Sequence, residues 1–375
     1  MNDLVDYIKT HPDWRKKLVE KPFCLTIKDD GPYTIFTYSQ IDSDFYNPIV
    51  KVSRGIILRV TETLTDNQSI PGIHGVYECN VKITCQAFSK FSNYGEGYAD
   101  SIDWSGARVQ EKIDGSLIKF WFDEGQWHIS TNGMIDAFKC NLPMPTNDYK
   151  MFGDLVLAAE KNCKLDKSRL NVDYTYIFEL VSPFNRIVVP YTEITLYHIG
   201  TRNIITGQER AIDIGVQKPK EYFFNTFDDV IAYAATLPFS EEGYVVVDKN
   251  WLRVKVKGKQ YLQAHHMRSN DGTVNPSRVL EMIKGNEQEE FLSYFPEYKE
   301  HFDKIMDRYE DTIVQIFAIK DRARDIKARS ATRKDFALEV LKMPEKLRKY
   351  YFAQYDEDDA KLKKMVEALD YEDLL

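Results

Sequence analysis

The spacing of apolar residues changes once along this 375-residue chain, and that change limits the folds it can adopt. Before about residue 276, short apolar runs alternate with turn residues, a pattern typical of β-strands. After it, apolar side chains recur every three or four residues, as in Phe302, Ile305, Tyr309 and Ile316, which is the spacing of one helix face. The sequence therefore predicts an α+β region followed by an all-helical region.

Within the α+β region, the order of the short runs favours antiparallel sheets with helices on their flanks. The predicted strands are 24–27, 34–38, 55–60, 75–79, 117–122, 127–130, 174–180, 194–199, 243–247 and 252–257. Helices are predicted over 2–20 with a break at Pro12, and over 151–162, 227–235, 302–317, 331–342, 345–354 and from 359. The length favours more than one domain, and we place the division between a sheet-based domain, 1–265, and a helical domain, 266–375.

The composition is that of a soluble globular protein, with 43% hydrophobic and 29% charged residues. No apolar run approaches the roughly 18 residues of a membrane span, and the first residues lack the basic and then apolar pattern of a secretion signal. We therefore expect a cytoplasmic protein without a membrane partner. The five cysteines are widely spaced and form no Cys-x-x-Cys pair, which favours reduced, mostly buried thiols.

Charge is distributed unevenly along the chain. The net charge of −8 disfavours a polyanionic partner at first sight, yet residues 320–349 carry eleven Lys and Arg against five Asp and Glu. A solvated helix face and an RNA-binding surface both account for that segment, and the sequence does not separate them.

Residues 111–116 read Glu-Lys-Ile-Asp-Gly-Ser and directly precede the predicted strand at 117–122. Lys-x-Asp-Gly is the setting of a lysine that attacks a nucleotide phosphate, and Lys112 would have to lose its proton from an ordinary pKa of about 10.4. Neighbouring cations and burial both lower such a pKa. Gly115 would let the backbone approach a ligand closely. Because Asp-Gly is also a common turn, the motif needs companions.

Other segments of the α+β region carry the charges that a phosphate site needs. A cation stands beside apolar residues at Arg54 and Lys90, and a carboxylate flanks an apolar run at Glu179 and Glu242. In the alternating run 254–257 both lysines lie on one face of a strand, where they repel each other unless an anion lies over them. Each feature alone is commonly a surface charge or an edge-strand lysine. Their combination indicates phosphate chemistry.

Taken in order, these segments resemble the covalent nucleotidyltransferases, the superfamily of ATP-dependent ligases and capping enzymes. Within it the sequence is most similar to the bacteriophage T4 RNA ligase 1 family, over roughly residues 20–265. The Pro-x-Asn-Arg-Ile-Val run that follows Glu179 is specific to this branch. The matching segments are 112–116 (motif I), 178–188 (motif III), 242–245 (motif IV), 255–257 with Tyr261 (motif V), and, upstream, 53–56 and 90–93.

The resemblance implies an antiparallel-sheet nucleotidyltransferase (adenylyltransferase) domain followed by an all-α C-terminal domain that acts as an RNA-specificity module. The implied activity is that of an ATP-dependent RNA ligase working through lysyl-AMP and RNA-adenylate intermediates. Its partner would be RNA with 5′-phosphate and 3′-hydroxyl ends, either single-stranded RNA or a broken tRNA in phage RNA repair. ATP and Mg²⁺ are the implied cofactors, and we expect the protein to act as a monomer.

The resemblance also assigns roles to individual residues. The implied catalytic residues are Lys112, Glu179, Glu242, Lys255 and Lys257. The implied nucleotide contacts are these five together with Tyr38, Arg54, Lys90, Glu111 and Gly115. The implied metal ligands are Glu242 and Glu289, with Glu287 or Glu290 as alternatives to Glu289.

In these roles the cations would hold phosphates and stabilise charge in the transition state, and their field would lower the pKa of Lys112. Glu179 would bind the ribose, and Glu242 would help place the divalent cation or orient the nucleophile. Two positions depart from the family pattern. Asn132 stands where the family has a lysine, and Ser92 replaces an aromatic residue.

Three other functions remain open at the level of sequence. A capping guanylyltransferase would share the nucleophile and the two strand lysines, and a DNA ligase would share the chemistry. The run 183–186 and the helical tail, which lacks an OB-type β pattern, favour RNA ligation. A non-catalytic alternative is an RNA-binding module that keeps the fold without the activity.

Overall fold

The computed structural model describes residues 2–65, 76–267, 273–285, 288–356 and 359–374. By its internal contacts the chain divides into two compact units, Met1–Leu262 and Gln263–Leu375. The first is mixed α+β, and the described part of the second is helical apart from its connections. The fold class predicted from the sequence is therefore confirmed. The assignment of 1–265 and 266–375 as domains stays a prediction.

The strands of the first unit form three sheets. In chain order they are β1 (Leu25–Asp30), β2 (Tyr33–Tyr38), β3 (Arg54–Thr65), β4 (Val76–Cys85), β5 (Ser92–Asn93), β6 (Arg108–Glu111), β7 (Ser116–Asp123), β8 (Gln126–Thr131), β9 (Tyr174–Val181), β10 (Thr195–Asn203), β11 (Glu209–Arg210), β12 (Glu221–Tyr222), β13 (Gly243–Val247) and β14 (Arg253–Lys257). The first sheet has the order β1-β2-β3-β4, the second β11-β10-β9-β7-β8 and the third β12-β6-β13-β14-β5. Neighbours are antiparallel except for the parallel pair β14 and β5.

The helices flank the sheets in the first unit and build the second. In chain order they are α1 (Asp3–Thr10), α2 (Trp14–Val19), α3 (Pro48–Val52), α4 (Phe152–Cys163), α5 (Phe227–Ala234), α6 (Lys259–His266), α7 (Pro276–Lys284), α8 (Gln288–Tyr294), α9 (Lys299–Arg329), α10 (Arg333–Val340), α11 (Glu345–Tyr355) and α12 (Asp359–Glu367). Several begin at side-chain caps that the sequence contains. Thr226 and Asp229 form a capping box at α5, and Thr332 and Asp335 form one at α10.

Each sheet is covered on one face by helices. Apolar residues of α1, α2 and α3 pack on the first sheet, as Ile8 and Trp14 do around Phe36. In the second sheet α4 covers Phe120 and Phe178. The third sheet packs against α5. The second unit has its own core, in which the apolar stripe of α9 meets α10, α11 and α12. This stripe is core, as the sequence predicts.

The predicted elements are confirmed wherever their apolar pattern is long, including the break between α1 and α2 around Pro12. The sequence misses the two-residue strands, β6, α3, α6, α7 and α8, because so few residues give only a weak periodicity. All five cysteines are free, but only Cys85 is buried and the other four are half-buried, so the expectation of mostly buried thiols is wrong. No helix in the described ranges is long and apolar enough to cross a membrane.

Candidate active site

Lys112 follows β6 and is fixed by the pairing of β6 with β13. Its backbone N–H donates to the carbonyl of Gly243 at 2.8 Å. Gly243 has a φ of +136°, and a Cβ at that position would collide with the backbone of Val256 in β14, so only glycine allows this close approach. The pairing of β6 with β13 brings Lys112 and Glu242 together, with Nζ and Oε2 2.6 Å apart.

Glu242 lies between two lysines at the floor of the site. Its side chain is 3% exposed, and its second oxygen, Oε1, is 3.0 Å from Nζ of Lys257. Burial by itself would raise the pKa of Glu242, but the two ammonium groups outweigh burial and hold it below its usual range. Glu242 is therefore an anion shared by the lysines of motifs I and V.

Lys112 is held as an ammonium in this arrangement. Burial lowers its pKa, but attraction to Glu242 and Glu179 is stronger and leaves the pKa above its ordinary value. The prediction that neighbouring cations lower the pKa of Lys112 is therefore wrong. Its nearest charged neighbour is a carboxylate, and pairing outweighs the field of more distant cations.

Two other groups beside Lys112 titrate near neutrality. Burial, reinforced by Arg54 and by the neighbouring lysines 112 and 257, lowers the pKa of Lys255 to about 7. Among the described carboxylates none pairs with Lys255, whose Nζ lies 4.8 Å from the centre of the Phe91 ring. Burial also raises the pKa of Glu179 to about 7, in spite of the opposing attraction of Lys112. The charge of the site therefore depends on pH around neutrality.

These groups line a cavity of about 280 Å³, here called the nucleotide pocket. Seven residues predicted from the sequence contribute to it: Arg54, Glu111, Lys112, Gly115, Glu179, Lys255 and Lys257. Asn132, the departure from the family pattern, lines it too. Glu242 does not line the pocket but contacts two residues that do.

Arg54 presents an unsatisfied donor at this pocket. Its Nη1 atom is buried and has no hydrogen-bond partner among the described residues. Its guanidinium lies 5.3 Å from the centre of the Phe91 ring. A buried cationic donor without an acceptor is costly, so the pocket is suited to an anionic ligand such as a phosphate.

Tyr38 and Lys90 lie together outside the lining of the nucleotide pocket. The Nζ of Lys90 is 4.0 Å from the ring centre of Phe45, 4.9 Å from that of Tyr98 and 6.0 Å from that of Tyr38. Lys90 is 9% exposed and borders a neighbouring cleft that includes Arg253. The two predicted nucleotide contacts therefore form an aromatic and cationic cluster of their own.

Asp114 fixes the loop that follows Lys112. Its Oδ2 accepts backbone N–H groups of Val188 and Val189 at 2.9 and 2.8 Å, and its Oδ1 accepts the hydroxyl of Tyr261 at 2.7 Å. Asp114 is 3% exposed. This one carboxylate connects motif I to the segment after motif III and to α6.

The branch-specific segment after Glu179 has a structural role. Asn185 donates to the carbonyl of Leu180 at 2.9 Å and to Oγ of Ser116 at 3.0 Å, joining the end of β9 to the start of β7. At Gly115 a Cβ would collide with the Leu180 carbonyl. Glycine is thus required for β9 to pass directly behind the loop that follows Lys112, which places Glu179 beside Lys112.

Arg253 and Lys119 are two cations that were not among the predicted site residues, and of the two Arg253 lines the nucleotide pocket. Arg253 pairs with Glu209 of β11, with Nη1 and Oε1 3.0 Å apart. Lys119 is fully buried and donates to the carbonyl of Gly55, and burial lowers its pKa. A lone lysine inside the apolar run 117–122 was the available signal for Lys119. Nothing in the sequence connects Arg253 with Glu209.

The described side chains offer few ligands for a divalent cation. No group of three or more His, Cys, Asp or Glu side chains that could hold a metal occurs among the described residues. Mg²⁺, however, commonly takes one or two carboxylates together with substrate phosphates. Glu289 belongs to the second unit and is exposed, Glu287 lies outside the described residues, and the side chain of Glu290 is also outside them. The assignment of metal ligands stays a prediction.

Residues 53–261, more than half of the chain, match the RNA ligase family of the T4 RNA ligase 1 type. The chain belongs to this RNA ligase family. The resemblance seen in the motifs is thereby confirmed.

Individual relatives of this RNA ligase family member are distant. The chain is 31% identical, over 76% of its length, to a protein of Autographa californica nuclear polyhedrosis virus named as a bifunctional polynucleotide kinase/RNA ligase, and it spans 40% of that protein. It is 24% identical to an RNA ligase of Rhodothermus phage RM378, over 76% of this chain and 80% of the relative. A solved archaeal ATP-dependent RNA ligase is 14% identical with a TM-score of 0.45, covering 91% of this chain and 89% of the other.

Proposed function

We propose that this protein is an ATP-dependent RNA ligase that joins RNA 3′-hydroxyl and 5′-phosphate ends through a lysyl-AMP. The observation that carries the proposal is the nucleotide pocket, where a lysine of the family's nucleophile motif adjoins two further lysines and an unsatisfied arginine donor. Membership of the RNA ligase family supports it. Single-stranded ends, such as those of a broken tRNA, are the proposed substrates.

In the first step Nζ of Lys112 attacks the α-phosphorus of ATP, an N–P bond forms, and the bond to the pyrophosphate oxygen breaks. Lys112 must lose its proton before it attacks. Glu242, 2.6 Å away, is the group in place to accept this proton and pass it on. Because Glu242 also pairs with Lys257, it fixes the nucleophile and a phosphate-binding lysine relative to each other.

The cations of the pocket would stabilise the charge that develops on the phosphate oxygens. Lys255 is suited to this role because its ammonium group has no carboxylate partner among the described residues. A bound phosphate would supply the missing negative charge. The Arg54 donor is placed to do the same. Glu179, half-buried beneath the nucleophile loop, is proposed to bind the ribose.

A divalent cation, Mg²⁺ in the proposal, would be held by Glu242 together with substrate phosphates and would withdraw charge from their oxygens. In the later steps the RNA 5′-phosphate attacks the phosphorus of lysyl-AMP and releases Lys112, giving an RNA-adenylate. The RNA 3′-hydroxyl then attacks the 5′-phosphate, AMP leaves, and the phosphodiester bond is complete.

The test is incubation with ATP or GTP labelled at the α-phosphate, followed by joining of single-stranded RNA. We expect covalent label from ATP and not from GTP, and ligated RNA when 5′-phosphate and 3′-hydroxyl ends are supplied. Label from GTP would make the protein a guanylyltransferase. Preference for DNA ends would make it a DNA ligase, and RNA retention without label would indicate a binding module that lacks the activity.

A further inference from the structure

Beside the nucleotide pocket lies a second cavity of about 340 Å³, between the edge of the second sheet and β6 of the third. We call it the basic channel and define it by Arg108, Arg210, Lys218 and Arg253. Gln110, Ile199, Pro219 and Arg253 line both cavities, so the channel and the pocket share a wall.

The charge of this channel is opposite to that of the whole protein. Its lining contains the four defining cations and a single carboxylate, Glu221, in a chain of net charge −8. His198 also lines it but is neutral at pH 7, because burial lowers its pKa to about 4. A concentration of one sign of charge in a concave surface attracts a ligand of the opposite sign.

Three of the four cations of the channel are only weakly neutralised by the described residues. Arg210 is exposed and pairs with none of the described carboxylates, and Lys218 is 3.8 Å from the exposed Asp213. Arg108 is 3.7 Å from Glu221. Such long, solvated pairs contribute little. Arg253 differs, because its buried pair with Glu209 fixes it in place.

Trp251 holds two of the guanidinium groups at the channel. Its ring centre lies 5.2 Å from the guanidinium carbon of Arg108 and 5.7 Å from that of Arg253. Its backbone has a φ of +66°, uncommon for a bulky residue. The turn is fixed by Asp248, whose Oδ1 accepts the N–H groups of Asn250 and Leu252 at 2.8 and 2.9 Å. The cations are therefore positioned on a defined turn.

The nucleotide pocket, at about 280 Å³, is of the size that holds one small ligand. A polynucleotide whose end reaches Lys112 therefore needs a further surface that begins at the pocket wall and binds successive phosphates without reading bases. Resting on the proposed function, we propose that the basic channel binds the phosphodiester backbone of the RNA strand that carries the 5′-phosphate. Arg210 and Lys218 are its exposed phosphate contacts.

The experiment compares the double variant Arg210→Ala/Lys218→Ala with a control, Lys9→Ala/Lys16→Ala, which removes two exposed lysines from α1 and α2 of the same unit. Binding of a 5′-phosphorylated single-stranded RNA is measured without nucleotide over a range of salt concentrations. For single strands each lost phosphate contact lowers the slope of log affinity against log salt by about 0.7. We expect the magnitude of this slope to fall by about 1.4 in the channel variant and to stay unchanged in the control.

The charge-retaining variant Arg210→Lys/Lys218→Arg should restore the slope, because backbone phosphates are recognised by charge. A second measurement follows transfer of AMP from preformed lysyl-AMP to the same RNA. The channel variant should need more RNA for half-maximal transfer. An unchanged slope and unchanged transfer would overturn the proposal.

The channel could hold the triphosphate of ATP instead, and one further measurement separates the two ligands. In that case the channel variant would require more ATP for half-maximal labelling, while RNA binding would stay unchanged, and the proposal would be overturned. The nucleotide-free binding measurement does not depend on catalysis. If the wild-type protein never takes label, the ligase function is rejected. If the channel variant nevertheless lowers the slope of log RNA affinity against log salt, the RNA channel stands.

Discussion

The nucleotide pocket and the long helix α9 differ in the burial of their charged pairs. Lys112 and Lys257 line the pocket and contact the buried carboxylate of Glu242 at 2.6 and 3.0 Å. On α9, Lys299 and Asp303 form a pair of 2.7 Å whose side chains remain 69% and 57% exposed. Exposed pairs are worth little, whereas buried groups change protonation with their surroundings. Burial, more than the number of charges, distinguishes the region where chemistry is expected.

The sharpest test of this difference is the nucleophile itself. Lys112→Ala should reduce covalent labelling by ATP to background, because no other group is proposed to form the N–P bond. Lys112→Arg keeps a cation beside Glu242 and should fold normally, yet it should also fail to take label. Lys249→Ala, which removes a surface lysine paired with Asp103, is the control and should label like the wild type. Label retained by both Lys112 variants would remove this residue from the mechanism.

The second test alters the partner of the nucleophile. Attraction to Glu242 is the main reason that the pKa of Lys112 is raised, so Glu242→Gln should lower that pKa. Since only the neutral amine attacks, the pH at which labelling is half-maximal should move downwards, even though the maximal rate falls with the loss of a proton acceptor. The labelling rate is measured from pH 6 to pH 10, with Glu241→Gln as the matched control. A profile that stays in place or moves upwards would contradict the assigned pairing.

The third test uses the two groups whose pKa is about 7. Phosphates bound beside Lys255 should raise its pKa and that of Glu179, so ATP binding at pH 7 should take up protons. It follows that ATP affinity should fall as the pH rises through 7. Calorimetry in buffers of different ionisation enthalpy measures the uptake, and Lys255→Met should reduce it. Release of protons on binding would reject this account of the pocket.

The smallest effect is expected on α9. Arg322, Arg324 and Arg329 are exposed, Arg324 lies 3.6 Å from Asp321, and Arg329 donates to the backbone of Asp325. Their replacement by alanine should change affinity for a short single-stranded RNA by less than about threefold, as for ordinary solvated charges. A fall of about 2 in the salt slope would instead make α9 an RNA-binding surface and remove the contrast with the pocket.

The sequence predicts the α+β and helical parts because their apolar periods differ and because both extend over many residues. It also identifies seven of the residues that line the pocket, because the motifs around 54, 112, 179 and 255–257 lie in strands or next to them. The sequence does not predict the properties that depend on contacts between residues far apart in the chain. The raised pKa of Lys112 depends on the approach of Glu242, 130 residues later in the chain. Tyr38 and Lys90 turn to each other through a packing of aromatic rings that no local pattern encodes.

Gly243 shows that alignment and charge are separable properties of this site. Its neighbours in β14 leave no room for even one carbon atom, while the residue itself carries no functional group. A single methyl group there would leave every acid and base in the protein unchanged and still force β13 away from β14, the strand that brings Lys257 to Glu242. Position 243 thus determines how closely two strands of the site can approach, although the residue takes part in none of the proposed reactions.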